Sequence, residues 1–133
     1  MVPIILLVLA LFVLQTLLPG RFREPVGAGD QGKLAENLGN RDHMRPLTVI
    51  GHRAARALAN MQEAMPVFLG LALMNMIVTP EAASAITGAT VFLVARALYV
   101  AVYIAGVAVV RTLLWGVSWV GLVMMLPPLL QRI

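Results

Sequence analysis

The sequence predicts an all-α membrane protein built as a four-transmembrane-helix bundle. Of its 133 residues, 60% are hydrophobic and only 12% charged, whereas soluble domains run near a quarter charged. The apolar residues gather in four long runs, each close to the ~20 residues that cross a bilayer as a helix. The charges stand mostly between those runs: seven of the ten Lys and Arg fall from Arg21 to Arg56. A pI near 10.7 on a soluble surface would point to nucleic acid. Confined to one loop and the helix that follows it, the same charge sets membrane topology, and nucleic acid is not expected as a partner. The length allows a single domain.

The first run extends from Val2 to Leu18 and is closed by Pro19 and Gly20, giving a helix over about 2–20. No positive charge precedes it, and Arg21 and Arg23 follow it, which suits a retained helix with its N-terminus outside. Residues 21–47 read as a loop, rich in Gly, Pro, Asp and Asn, as in the stretch 27–30 and at Gly39 and Asn40. The second helix is expected over about 48–78, uncharged from Ala64 to Pro80. Thr79, Pro80 and Glu81 make a compact turn into a third helix over about 81–104, interrupted only by Arg96. A short stretch around Gly106 leads to Arg111 and a fourth span over about 111–131.

The loops carry unequal charge. The first holds Arg21, Arg23, Lys33, Arg41 and Arg45, the second no Lys or Arg, and the third Arg111. The positive-inside rule puts loops one and three in the cytoplasm and both termini outside it. Short loops and compact termini suggest a bacterial inner membrane. The chain has no cysteine, which excludes disulfides, thiolate catalysis and Cys-ligated metals. His43 and His52 are the only imidazoles, so no metal site is expected within one chain. Trp115 and Trp119 read as an aromatic belt, and Met74, Met76, Met124 and Met125 as packing or lipid-facing residues.

Polar residues within the apolar helices carry the functional information, because an Arg or Asp at mid-helix costs roughly 2.5–3.5 kcal/mol to insert. At about 100° per residue, Arg53, Arg56, Asn60 and Glu63 fall within an arc of roughly 80° on the second helix. Arg96, Tyr99 and Tyr103 follow the same i, i+3, i+7 steps on the third, so the two stripes can face each other at matching depth. Pro66, one turn beyond Glu63, removes a backbone donor beside the stripe and is expected to kink the helix. Two readings stay open at this level. The polar residues are intramembrane glue, with Arg96 paired to Glu63, or they form a ligand site.

Arg56, Asn60, Glu63 and Pro66 follow the pattern R-x3-N-x2-E-x2-P. It resembles the second-helix signature of the MAPEG family, membrane-associated proteins of eicosanoid and glutathione metabolism. The stretch from Ala95 through Arg96 and Tyr99 to Tyr103 is similar to the family's A-R-x2-Y-x3-Y segment. The likeness extends over all four helices. It implies a homotrimer that binds glutathione as co-substrate between subunits, near the cytoplasmic face. By resemblance, Arg56 would hold a glutathione carboxylate, Glu63 its amino group and Asn60 its peptide groups. Tyr99 and Tyr103 would line the cleft, Arg53 and Arg96 would complete the polar set, and Arg111 would stabilise the thiolate. The family's first-helix basic contact falls on Arg21 or Arg23. Ala64 stands where leukotriene-forming members carry Tyr.

The leading expectation is a membrane-bound glutathione-dependent transferase or peroxidase acting on a lipophilic small molecule, either an electrophile or a lipid hydroperoxide drawn from the bilayer. The alternative is a non-catalytic protein on the same scaffold that binds membrane lipid or a partner. A small multidrug exporter, also four helices, needs a carboxylate in its first span, and Val2 to Leu18 contains none.

Overall fold

The four apolar runs form helices in a computed structural model, which describes residues 1–25, 38–39 and 44–132. Helix α1 is Val2–Arg21, α2 Val49–Val78, α3 Ala83–Ala105 and α4 Ala108–Met124, followed by a single turn, α5, at Pro127–Leu130. Taking α4 and α5 together as Ala108–Leu130, all four spans are long and apolar enough to cross a membrane. Lys33, Arg41, His43 and the stretch 27–30 lie outside the described residues.

Local chemistry sets the helix ends. Pro3 occupies the first turn of α1, where its missing N–H goes unneeded. Thr48 caps α2, its hydroxyl accepting from the Gly51 amide at 3.2 Å. Helix α2 then runs without a break through Pro66. Its 30 residues correspond to ~45 Å, well beyond the ~30 Å hydrocarbon layer, so one end stands in the polar interface. Helix α3 stops at Gly106, whose φ of 85° is a left-handed cap. Helix α4 begins at Ala108, three residues before Arg111, and places that arginine in its first turn. It ends where Pro127 and Pro128 withdraw two amide donors.

Helix α3 is the hub. It packs most extensively on α4, then on α2, and more thinly on α1, while α1 also packs on α2. The core joins Val8 of α1, Met61 and Phe68 of α2, Phe92 of α3 and Leu122 of α4 with Met125 just beyond it. Phe68 and Phe92 stack with ring centroids 4.6 Å apart. Buried alanines on α2 and α3, among them Ala54, Ala57, Ala85 and Ala89, let the helices approach closely, as lipid-immersed bundles require. Large apolar side chains such as Leu6, Leu17, Ile77, Val109 and Leu113 are exposed on the outside, where lipid replaces water. Trp115 and Trp119 meet edge to face at 6.0 Å.

Two contacts secure this arrangement. Asn75 is fully buried; its amide donates to the Leu71 carbonyl at 2.8 Å and to the Met125 carbonyl at 3.0 Å. The Leu129 amide, which would close an α-helical bond to Met125, bonds Leu126 instead, so Asn75 satisfies a carbonyl that the break after α4 leaves open. At the α3–α4 crossing, a Cβ on Gly121 would lie 2.7 Å from the Gly88 carbonyl oxygen and 2.8 Å from the Phe92 amide nitrogen. Overpacking of this kind costs about 1–3 kcal/mol. Gly121→Ala is therefore expected to lower the thermal midpoint of the detergent-solubilised protein. Gly116→Ala, on the same helix with nothing within 4 Å of the added carbon, does not lower it, since alanine is the better helix former where it fits.

Candidate functional site

The first half of α2 runs alongside the second half of α3, and the two polar stripes meet there. Arg96 is 1% exposed. Its Nη1 donates to Asn60 Oδ1 at 2.5 Å. The guanidinium lies 5.4 Å from the Phe92 ring centroid and 5.5 Å from that of Tyr99, within cation–π range of both. Nε and Nη2 have no hydrogen-bond partner among the described residues. A guanidinium carries five N–H donors, so much of its bonding capacity is unused.

The row continues along α3. Tyr99 and Tyr103 meet edge to face at 5.3 Å, and the Arg111 guanidinium sits 4.6 Å from the Tyr103 ring centroid. Asn60, Arg96, Tyr99, Tyr103 and Arg111 thus form one connected chain of contacts from mid-bundle to the start of α4. Arg53 is turned towards the end of α3, where Nη1 donates to the Ile104 carbonyl at 3.1 Å. A Cβ at Gly106 would lie 2.5 Å from that Arg53 nitrogen, so Gly106 serves both the left-handed cap and the space that the arginine needs.

Arg56 and Glu63 stand apart from this row. Both are exposed, and neither has a hydrogen bond or ion pair to a described residue, although Glu63 is within electrostatic reach of Arg96. Within the chain Arg96 therefore bonds Asn60 rather than Glu63. Of the two candidates for the first-helix basic contact, Arg23 lies beyond α1 and donates to the Arg45 carbonyl and, at 3.6 Å, to the Met44 sulfur. Arg21 is exposed. Among the described residues no group of three or more His, Cys, Asp and Glu is placed to hold a metal ion.

Among the buried polar residues absent from the sequence reading are two carboxamides, Gln15 on α1 and Asn75 on α2. Each is an isolated amide in an apolar run. The criterion that singled out Asn60, a polar group that must find a partner in lipid, applies equally to both.

Four membrane-length helices, with a polar row centred on buried Arg96 and Tyr99 running from the α2–α3 contact to the start of α4, define the class as a multi-pass integral membrane protein. Within that class, the chain belongs to the MAPEG family, whose sequence model matches residues 1–127. Searches of curated proteins and of solved structures found no match.

The Asn60–Arg96 bond yields a stability test. A hydrogen bond to a charged group contributes about 1.5–3 kcal/mol, and Asn60→Leu is expected to destabilise the solubilised protein by about that amount. Arg96→Met removes the stranded charge, so the double variant should lose less than the sum of the single ones. A double-mutant cycle on denaturation midpoints measures that coupling, and strict additivity would mean the bond contributes nothing.

Proposed function

We propose that the protein is a membrane-bound glutathione-dependent transferase or peroxidase. It assembles as a homotrimer and acts on lipophilic electrophiles or lipid hydroperoxides at a site between subunits. The observation that carries this reading is the exposure of Arg56 and Glu63, neither hydrogen-bonded nor ion-paired among the described residues, one cation and one anion on the helix whose half-buried Asn60 bonds Arg96. Charges at the rim of a membrane helix need a partner or a ligand. A zwitterionic peptide with carboxylates and an ammonium group offers both signs. Family membership supports the same chemistry.

In this reading each residue has a distinct role. Arg56 holds a glutathione carboxylate in a charge-assisted pair and Glu63 accepts from the amino group. The bond from buried Arg96 to half-buried Asn60 fixes the α2–α3 spacing behind them, while Arg53 braces the end of α3. The Tyr103 ring beneath Arg111 positions a cation for the sulfur. A nearby positive charge favours the thiolate, the reactive form of the thiol. In conjugation the thiolate sulfur attacks an electrophilic carbon of a lipid-derived substrate, and the leaving group departs with the displaced electron pair. Both termini outside the cytoplasm, with the site at the cytoplasmic end, belongs to the same proposal.

A second reading rests on Ala64. The position where leukotriene-forming relatives carry Tyr is here packed into the core and 1% exposed, so it offers the site no hydroxyl. A binding protein without turnover on the same scaffold would account for that.

Calorimetry on detergent-purified protein tests the first reading. Glutathione should bind, and Arg56→Ala and Glu63→Ala should each weaken binding by about 10- to 150-fold, the equivalent of one charged hydrogen bond. No binding by a folded oligomer removes the transferase reading. Arg111→Ala should leave binding largely intact and slow conjugation about tenfold for each unit by which the thiol pKa rises. Its rate–pH profile should move to higher pH. Unchanged turnover would take Arg111 out of the mechanism and favour the second reading.

A further inference from the structure

Helices α1 and α3 touch only thinly, and between them runs a groove of about 450 Å³, within the range of small-ligand sites. Its walls are apolar, with Leu11, Leu14 and Leu18 on one side and Val100 and Ala101 on the other. Two polar residues break that lining, Gln15 and Arg21. Gln15 is 2% exposed, and neither its amide oxygen nor its amide nitrogen has a hydrogen-bond partner among the described residues. An unpaired buried carboxamide is costly in any apolar surrounding and most of all in lipid, where water cannot satisfy it. Arg21, exposed at the end of the helix, puts a single cation at one end of the groove.

We propose that this groove is a binding site for an anionic glycerophospholipid. The phosphate pairs with Arg21, an ester carbonyl accepts from the Gln15 amide, and one acyl chain lies along the leucines. Dimensions support this occupant. Residues 11 to 21 rise ~15 Å along the helix, half of the ~30 Å hydrocarbon layer and so the depth of one leaflet. Gln15 and Arg21 are separated by ~9 Å along the same axis, a gap that a phosphate and an acyl ester bridge when each is bound through a side chain. Charge supports it too, since the lone cation at the mouth complements a negative headgroup. The site is distinct from the polar row. Arg96, Tyr99 and Tyr103 lie on one side of α3, and Val100 and Ala101 on the adjoining face. The assignment does not depend on glutathione chemistry.

The test uses the full chain in nanodiscs doped with phosphatidylglycerol or phosphatidylcholine carrying a photoreactive acyl chain, with labelled peptides mapped by mass spectrometry. Label should concentrate on the α1 and α3 peptides that line the groove, roughly tenfold more from phosphatidylglycerol than from phosphatidylcholine. Gln15→Leu should reduce it, and Arg21→Gln should abolish the preference between headgroups. Arg21 is exposed, so that variant decides the matter even if Gln15→Leu fails to fold. Equal labelling by both lipids, unchanged in Arg21→Gln, overturns the proposal. So does displacement of the label by glutathione, which would assign Arg21 to the other site. The chain lacks cysteine, so Leu14→Cys reports a second copy directly. Disulfide-linked dimers formed through it would make the groove a subunit contact and end the proposal; a chain that stays monomeric on denaturing gels under oxidation supports it.

Discussion

A guanidinium enclosed in an apolar bundle dictates much of what surrounds it. Arg96 is too costly to leave facing lipid and too large to tolerate loose packing. Asn60 must therefore lie opposite it, and two aromatic rings must flank it. That requirement fixes the depth at which α2 meets α3. Once the depth is set, Phe68 stacks on Phe92 further along the same pair, and Arg53 arrives at the end of α3 in time to satisfy the Ile104 carbonyl. A strong but incompletely satisfied polar group thus does what hydrophobic burial cannot do inside a bilayer, where lipid tails are as apolar as the core.

The hub position of α3 follows from what it offers on each face. Small residues let α4 come close enough for Gly88 and Gly121 to meet backbone to backbone. The polar row faces α2, and the face towards α1 is only partly covered. Rigidity is therefore distributed unevenly. The α3–α4 pair is tightly packed along its length, whereas α1 is joined to α3 by few contacts. Chemistry that needs fixed geometry fits the first pair, and an adaptable apolar occupant fits the second.

Much of this was legible in the sequence. The four apolar runs mark the spans, and the 100° rotation per residue gathers Arg53, Arg56, Asn60 and Glu63 into one stripe. Periodicity gives relative angles but not the direction in which the stripe points. Hence the sequence could not separate Asn60, turned to Arg96, from Arg56 and Glu63, which remain exposed, or foresee that Arg53 would brace a helix end. It left pairing of Arg96 with Glu63 open, and side-chain reach selects Asn60 within the chain. The break around Gly106 is legible as a glycine cap, but the start of α4 already at Ala108, ahead of Arg111, is not, because the apolar residues 107–110 carry no helix-start signal. One amide in a leucine-rich run barely alters its hydropathy, so Gln15 leaves little signal in the sequence, yet burial makes that amide conspicuous.

The closure of the first loop has a different consequence. Its two ends are stitched together. Arg23 and Leu47 form an isolated antiparallel bridge, the Glu24 amide donates to the Pro46 carbonyl at 3.0 Å, and the Thr48 amide to the Phe22 carbonyl at 3.0 Å. The Arg23 and Arg45 side chains each bond to backbone on the opposite strand of the bridge. The chain leaves and re-enters the membrane domain through one clasp. The spacing of α1 and α2 is then independent of how many residues lie between its halves, and the entropic cost of a longer connection grows only slowly with length. The clasp thus ties the register of α1 to that of α2 through its own two ends, residues 22–24 and 45–48.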